Sequence, residues 1–213
     1  WNASQMRWQQ VVTMTFIDTI EGLEALYGSP GAPSLRKVAD HLTPLYLQWI
    51  MRSRFVVLTT VGPEGTDGRP RGDDGPVVKP LDTRTLAMPD WRGNQRLDSL
   101  RNIVVDGRVS LMFMVPGSNT VVRVNGTARL TADEDVRQQF EQKGRHPATV
   151  IVISVAEVYT QCARAVIRAG LWTRDDAEGL PTAGQILAEV SHGEEGGEDY
   201  DRAWPERAAR TMW

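Results

Sequence analysis

Between Phe55 and Val158 the chain offers short β-branched runs separated by turn residues, with no regular strand–helix–strand alternation. That pattern constrains the fold most. A doubly wound parallel sheet needs a helical crossover between successive strands, whereas hairpin-linked strands give an antiparallel sheet. Phe55-Val56-Val57-Leu58-Thr59-Thr60-Val61 reads as a strand. Val77–Lys79 and Thr85–Met88 read as short strands joined by a turn around Asp82. In Arg108–Val115 the residues Val109, Leu111, Phe113 and Val115 alternate onto one face. Pro116-Gly117-Ser118-Asn119 is a turn. Thr120–Leu130 is the next strand, and Gly126 within it predicts a bulge or a close backbone approach. Val150–Val158 is the last. Six short strands of this kind predict a mainly β fold, an antiparallel barrel-like sheet with flanking helices.

The helices predicted around this sheet are Met6–Tyr27, a stretch from near Ser34 to about Ser53 broken before Pro44, and Gly93–Val105. Thr131-Ala132-Asp133-Glu134 predicts a capping box opening a helix to about Gln142. Tyr159–Ala169, Thr182–Ser191 and Asp199–Thr211 complete the set, with an acidic, Gly-rich loop at Gly193–Asp199. The expected organisation is an N-terminal helical extension (1–53), a barrel domain (54–192), and an acidic loop with a C-terminal helix (193–213).

Composition narrows the function classes. The 213 residues suit one large domain or one domain with extensions. Lys and Arg number 24 against 27 Asp and Glu, a net charge of −3, which disfavours a nucleic-acid surface but leaves room for a local cationic pocket. Cys162 is the single cysteine, so no intrachain disulfide or Cys-x-x-Cys motif is possible, and a reducing cytoplasm is the expected location. The histidines His41, His146 and His192 are far apart, and no metal site is expected. No run of about 18 apolar residues predicts a membrane span, and no basic segment followed by an apolar run predicts a signal peptide.

Three segments carry candidate chemistry. Pro89-Asp90-Trp91-Arg92-Gly93-Asn94-Gln95-Arg96-Leu97-Asp98-Ser99-Leu100 reads as a strand end, a turn and a helix opening. Backbone N–H groups at a helix N-terminus attract phosphate, and Arg92 and Arg96 add forked donors. The same residues also suit a capped helix with surface arginines. Gly62–Pro76 holds five glycines and three prolines and reads as a loop or long hairpin connection carrying Arg69, Arg71, Asp73 and Asp74. Its glycines let backbone approach a flat ligand, and its composition equally suits an exposed variable loop. Arg164 and Arg168 lie four apart on one helical face, able to meet an anion or simply to face solvent. No nucleophile constellation or Gly-rich phosphate loop with Lys appears, so an enzyme of this sequence would rely on a cofactor.

The order of these pieces, from Phe55–Thr60 through Arg69-Pro70-Arg71-Gly72-Asp73, Thr85–Asp90, Gly93–Leu100 and Arg123–Ala128 to Cys162-Ala163-Arg164-Ala165 and Leu171-Trp172, resembles the pyridoxamine 5′-phosphate oxidase-like, FMN-binding split β-barrel family. The likeness is strongest to a bacterial branch with a Pro-Asp-x-x-Gly-Asn-x-Arg-x-Asp-Ser motif, and it covers roughly residues 20–190. The resemblance implies a six-stranded split barrel, a homodimer, and FMN in clefts at the subunit interface. It implies phosphate contacts from Arg71, Asn94, Arg96 and Ser99, with Val77, Val78 and Lys79 beside the flavin ring. Met88 leads into the motif, Pro89 and Asp90 open it, and Arg164 and Arg168 complete the expected cofactor-binding set. Catalytic residues are not implied.

Three departures matter. Arg69 stands where the branch has Ser, Trp91 replaces a basic residue, and the Arg-x-x-Leu-Leu-Lys fingerprint of true pyridoxamine-phosphate oxidases is not matched. The expected activity is therefore an FMN-dependent oxidoreductase passing hydride or electrons between flavin N5 and a small organic molecule, not vitamin B6 oxidation. The alternatives are a non-catalytic flavin-binding or sensor protein, or a split barrel using F420 or haem, the last disfavoured by the few histidines. Neither nucleic acid nor membrane is an expected partner.

Overall fold

A computed structural model describes residues 14–93 and 95–212. The chain divides into two units, Trp1–Arg36 and Lys37–Trp213. The described part of the first holds two short helices, α1 (Ile20–Glu24) and α2 (Ala32–Arg36), with no buried residue. The expected long helix over 6–27 lies outside the described residues up to residue 13, and within them it contracts to α1. Its start is set by Thr19, whose Oγ1 accepts from the Gly22 N–H at 3.0 Å. Without packing for an apolar stripe, a short helix gains too little to extend.

The second unit opens with α3 (Pro44–Ile50), broken off before Pro44 as expected, capped by Thr43 and delivering Ile50 fully buried to the core. Seven strands follow: β1 (Phe55–Gly62), β2 (Gly65–Gly72), β3 (Lys79–Asp82), β4 (Thr85–Asp90), β5 (Arg108–Met114), β6 (Val121–Thr131) and β7 (Thr149–Gln161). They form one antiparallel, unclosed sheet in the order β2-β1-β5-β6-β7-β4-β3. The expected fold class holds, with one strand more than expected.

The extra strand is the Gly/Pro segment. β2 pairs with β1 along its length, from Phe55↔Gly72 to Gly62↔Gly65, across a two-residue turn at Pro63 and Glu64. An edge strand needs hydrogen bonds on one side only, so it tolerates Pro70 and three interior or terminal glycines that a central strand would not. The main core lies on one face of the sheet, beside a smaller cluster of Ala87, Phe140 and Val150. Val56 and Leu58 of β1, Leu111 and Phe113 of β5, Val122 and Val124 of β6, and Ile151 and Ile153 of β7 are all buried there. The alternation read in Arg108–Val115 is this face.

β6 and β7 pair over eleven positions and slip register between Asn125 and Gly126. A Cβ at Gly126 would lie 2.0 Å from the Ser154 carbonyl oxygen, so the bulge and the close approach expected there coincide.

The helices between and after the strands are shorter than expected. The helix read over 93–105 is α4 (Asp98–Val105), because Gln95 and Leu97 take φ of 59° and 60°, outside helical geometry. The helix after β6 is a single turn, α5 (Glu134–Arg137), with no capping box: Asp133 stands at the N-cap without a side-chain bond, and Thr131 Oγ1 accepts from Asp133 N. β7 runs on through Gln161, so Tyr159–Gln161 are strand and the following helix, α6, spans only Arg164–Ala169. The chain ends in a helical hairpin, α7 (Ala183–Val190) and α8 (Gly197–Thr211). Here a capping box does form, between Thr182 and Gln185, and Asp201 of α8 accepts from Gly184 N at 2.8 Å.

Among the described residues no helix is long and apolar enough to cross a membrane.

Candidate functional site

β2 and β4 end side by side with the start of α4 and the segment that leads into β7. Together with Met212 they line a cavity of about 1120 Å³. Five arginines reach it (Arg69, Arg71, Arg92, Arg96 and Arg145) against three aspartates (Asp73, Asp90 and Asp98). The balance favours an anion, in a chain whose net charge is negative.

Three of the arginines, Arg69, Arg71 and Arg96, are held by carboxylates. Arg71 on β2 donates through Nη1 to Asp90 at the end of β4, and both side chains are less than a fifth exposed. Its Nε is buried and has no hydrogen-bond partner. Arg69, two residues earlier on the same strand, donates through Nε to Asp67 at 3.0 Å and through Nη2 to Asp98 in the first turn of α4. Arg96 Nε reaches the same Asp98 oxygen at 3.0 Å. Period-two alternation explains why 67, 69 and 71 share one face of β2.

Asp73 ties three walls together. Its carboxylate accepts from Trp91 Nε1 at 2.8 Å, from Gln142 Nε2 at 2.9 Å and from the Asp74 N–H at 2.7 Å. A carboxylate engaged by three donors acts as a bracket between these segments. Asp73→Ala should lower stability by about 1–3 kcal/mol, because three donors lose their acceptor together. A thermal melt followed by circular dichroism measures it.

Of the residues singled out in the sequence, the structure brings Arg71, Val77, Pro89, Asp90, Arg96 and Ser99 to this cavity. Asn94 lies outside the described residues. Val78 and Met88 are buried in the core and do not line it. Lys79 points elsewhere: its Nζ donates to the Gln139 carbonyl and sits 4.8 Å from the Phe140 ring centroid. Arg164 and Arg168 are exposed on α6 and are not part of this cavity.

The sequence reading did not single out Asp67, Arg145 or His146. His146 donates from Nδ1 to the Phe140 carbonyl at 2.9 Å. Nothing local marks Arg145 and His146, because a hairpin turn 50 residues downstream of the motif carries them in. Asp67 was hidden by the reading of its segment as a loop, which removes the alternation that places it beside Arg69.

An antiparallel sheet with an arginine-rich cavity at the mouth of β2, β4 and α4 defines the class. A sequence model described as Pyridoxamine 5′-phosphate oxidase matches residues 42–162, more than half of the chain, and the chain belongs to that family. The matched span runs from the loop before α3 to the end of β7, and so includes every strand of the sheet.

Among solved structures, HupZ of Group A Streptococcus is 17% identical, covering 56% of this chain and 94% of its own, with a TM-score of 0.46. A Lactobacillus delbrueckii protein named after pyridoxamine 5′-phosphate oxidase is 22% identical over 57% of this chain and 95% of its own, with a TM-score of 0.45. An FMN-binding protein from Syntrophomonas wolfei is 11% identical over 55% and 81%, with a TM-score of 0.41. No curated protein matches the sequence.

Proposed function

We infer that the cavity holds FMN by its phosphate and that the chain is an FMN-dependent oxidoreductase acting on a small organic molecule. One observation carries the reading: Arg71 Nε is a buried donor without an acceptor, at the wall of an arginine-lined cavity. A buried N–H left unpaired costs about 1–3 kcal/mol, and a phosphate oxygen would relieve it. Asp90 takes Nη1 and so leaves the Nε–Nη2 edge of the guanidinium for that oxygen pair. Arg96 and the first turn of α4 complete the donor set on the opposite wall, with the uncapped helix start at Leu97 adding backbone N–H groups.

Bound flavin would supply hydride or electron-pair transfer at N5. The protein's part is to fix the phosphate with Arg71 and Arg96, to keep those arginines in place with Asp90 and Asp98, and to shape the cavity through the Asp73 bracket. The organic substrate would occupy the remainder of the cavity. Dimerisation, with the flavin between subunits, is part of the same proposal and rests on the family.

The test is direct. Purified protein titrated with FMN should bind it stoichiometrically and show a perturbed flavin spectrum, with much weaker binding of riboflavin. Equal affinity for the two would remove the phosphate assignment, and no binding of either would remove the cofactor. Anaerobic mixing of the loaded protein with NADPH or NADH, followed at the flavin band, separates an enzyme from a flavin carrier.

A further inference from the structure

Behind the cavity wall lies a carboxylate that does not line the cavity at all. Asp67 sits on β2, and its Oδ2 accepts from Ser99 Oγ at 2.6 Å and from Arg69 Nε at 3.0 Å. Ser99 belongs to the first turn of α4 and is 2% exposed. One oxygen therefore joins β2, an arginine of the site and the start of the helix.

What that oxygen holds is a strained entry. Gln95 and Leu97, neither of them glycine, both take left-handed backbone, and Leu97 is an N-cap with no side-chain bond to the helix. A left-handed residue other than glycine persists only where its surroundings over-determine it. Arg96 lies between the two. Asp98 takes both Arg69 and Arg96, so these two arginines are coupled through that carboxylate, while Asp67 ties Arg69 to Ser99.

We propose that Asp67 is the positioning residue that gives the site its preference for a phosphate monoester over the corresponding alcohol. It fixes Arg69 and the first turn of α4 relative to Arg71, so that Arg71, Arg96 and the helix N–H groups meet one anion. It touches no ligand and acts only through Arg69 and Ser99. The proposal rests on the phosphate reading above, and its test separates the two.

The full chain and its Asp67→Ala and Asp67→Asn variants are titrated with FMN and with riboflavin by flavin fluorescence, and with inorganic phosphate by 31P line broadening. In Asp67→Ala the FMN dissociation constant should rise about tenfold, that of riboflavin should stay within about twofold, and phosphate binding should weaken in parallel with FMN. Asp67→Asn keeps an acceptor for Ser99 but removes the negative charge that faces Arg69, and should fall between the wild type and Asp67→Ala. It also serves if the alanine variant does not fold.

A purely structural Asp67 would lower the melting temperature and leave the FMN-to-riboflavin ratio at its wild-type value, and that result overturns the proposal. Tighter FMN binding in either variant overturns it as well. Wild-type protein that binds phosphate but no flavin removes the cofactor reading, while loss of phosphate binding in Asp67→Ala would still uphold Asp67. Wild-type protein that binds neither removes both.

Discussion

Arg71→Ala should weaken FMN binding by about 1.5–3 kcal/mol, roughly tenfold to a hundredfold and more in the dissociation constant. The loss arises because a charge-assisted, forked contact disappears and no neighbour can replace it. Riboflavin, which lacks the phosphate, should bind the variant and the wild type alike. Arg71→Lys keeps the charge but presents no planar fork, and should recover only part of the affinity.

The same substitution has a second readout. Asp90 is 16% exposed and loses its partner, so Arg71→Ala should also lower stability in the absence of ligand. Flavin titration and a ligand-free thermal melt read the two effects separately. Unchanged FMN affinity alongside lowered stability would leave the Arg71–Asp90 pair a structural ion pair and nothing more.

Gly126→Ala should be the most destabilising single substitution of a small residue in the sheet. Its Cβ would meet the Ser154 carbonyl oxygen at 2.0 Å and the carbonyl carbon at 3.0 Å. These are backbone atoms of the longest strand, so no side-chain rotation relieves the clash. β6 and β7 would have to part at the bulge, where they form the most extensive pairing in the sheet. Overpacking typically costs about 1–3 kcal/mol, and a backbone clash belongs at the upper end. For a chain of this size that corresponds to a fall in Tm of about 6–12 °C. A Tm within about 2 °C of wild type would show that the register can slip at little cost.

The fold was legible where side chains alternate. β5 and β7 were readable because Val109, Leu111 and Phe113, or Ile151 and Ile153, mark a buried face at period two. β2 was not, because Gly65, Gly68 and Gly72 carry no side chain that could alternate between core and solvent, and Pro70 argues against a strand. Its pairing is dictated by β1 across the turn and not by its own composition.

The helices failed at their ends. Gln95, Arg96 and Leu97 are good helix formers, yet Gln95 and Leu97 are left-handed and delay α4 to Asp98, a conformation that propensity does not foresee. The candidate site was legible as a list of arginines around Pro89–Leu100 and Arg71. Its carboxylate partners were not, because the pairs Arg71–Asp90 and Arg69–Asp98 span 19 and 29 residues. Such pairings exist only once the sheet order brings β2, β4 and α4 to one end.

The unclosed sheet has a wider consequence. Its two outer strands, β2 and β3, are paired with a strand on one side only, and such rims invite strands from other molecules. Both carry a proline, Pro70 in one and Pro80 in the other. β2 adds Asp67, Arg69 and Arg71, and β3 is only four residues long, with Lys79 and Asp82 at its ends. Neither rim offers a continuous row of donors for cross-chain growth. The proline and charges that make β2 unlike a strand in sequence thus also protect the protein from self-templated aggregation, and two of the charges that guard the rim, Arg69 and Arg71, also line the anion cavity.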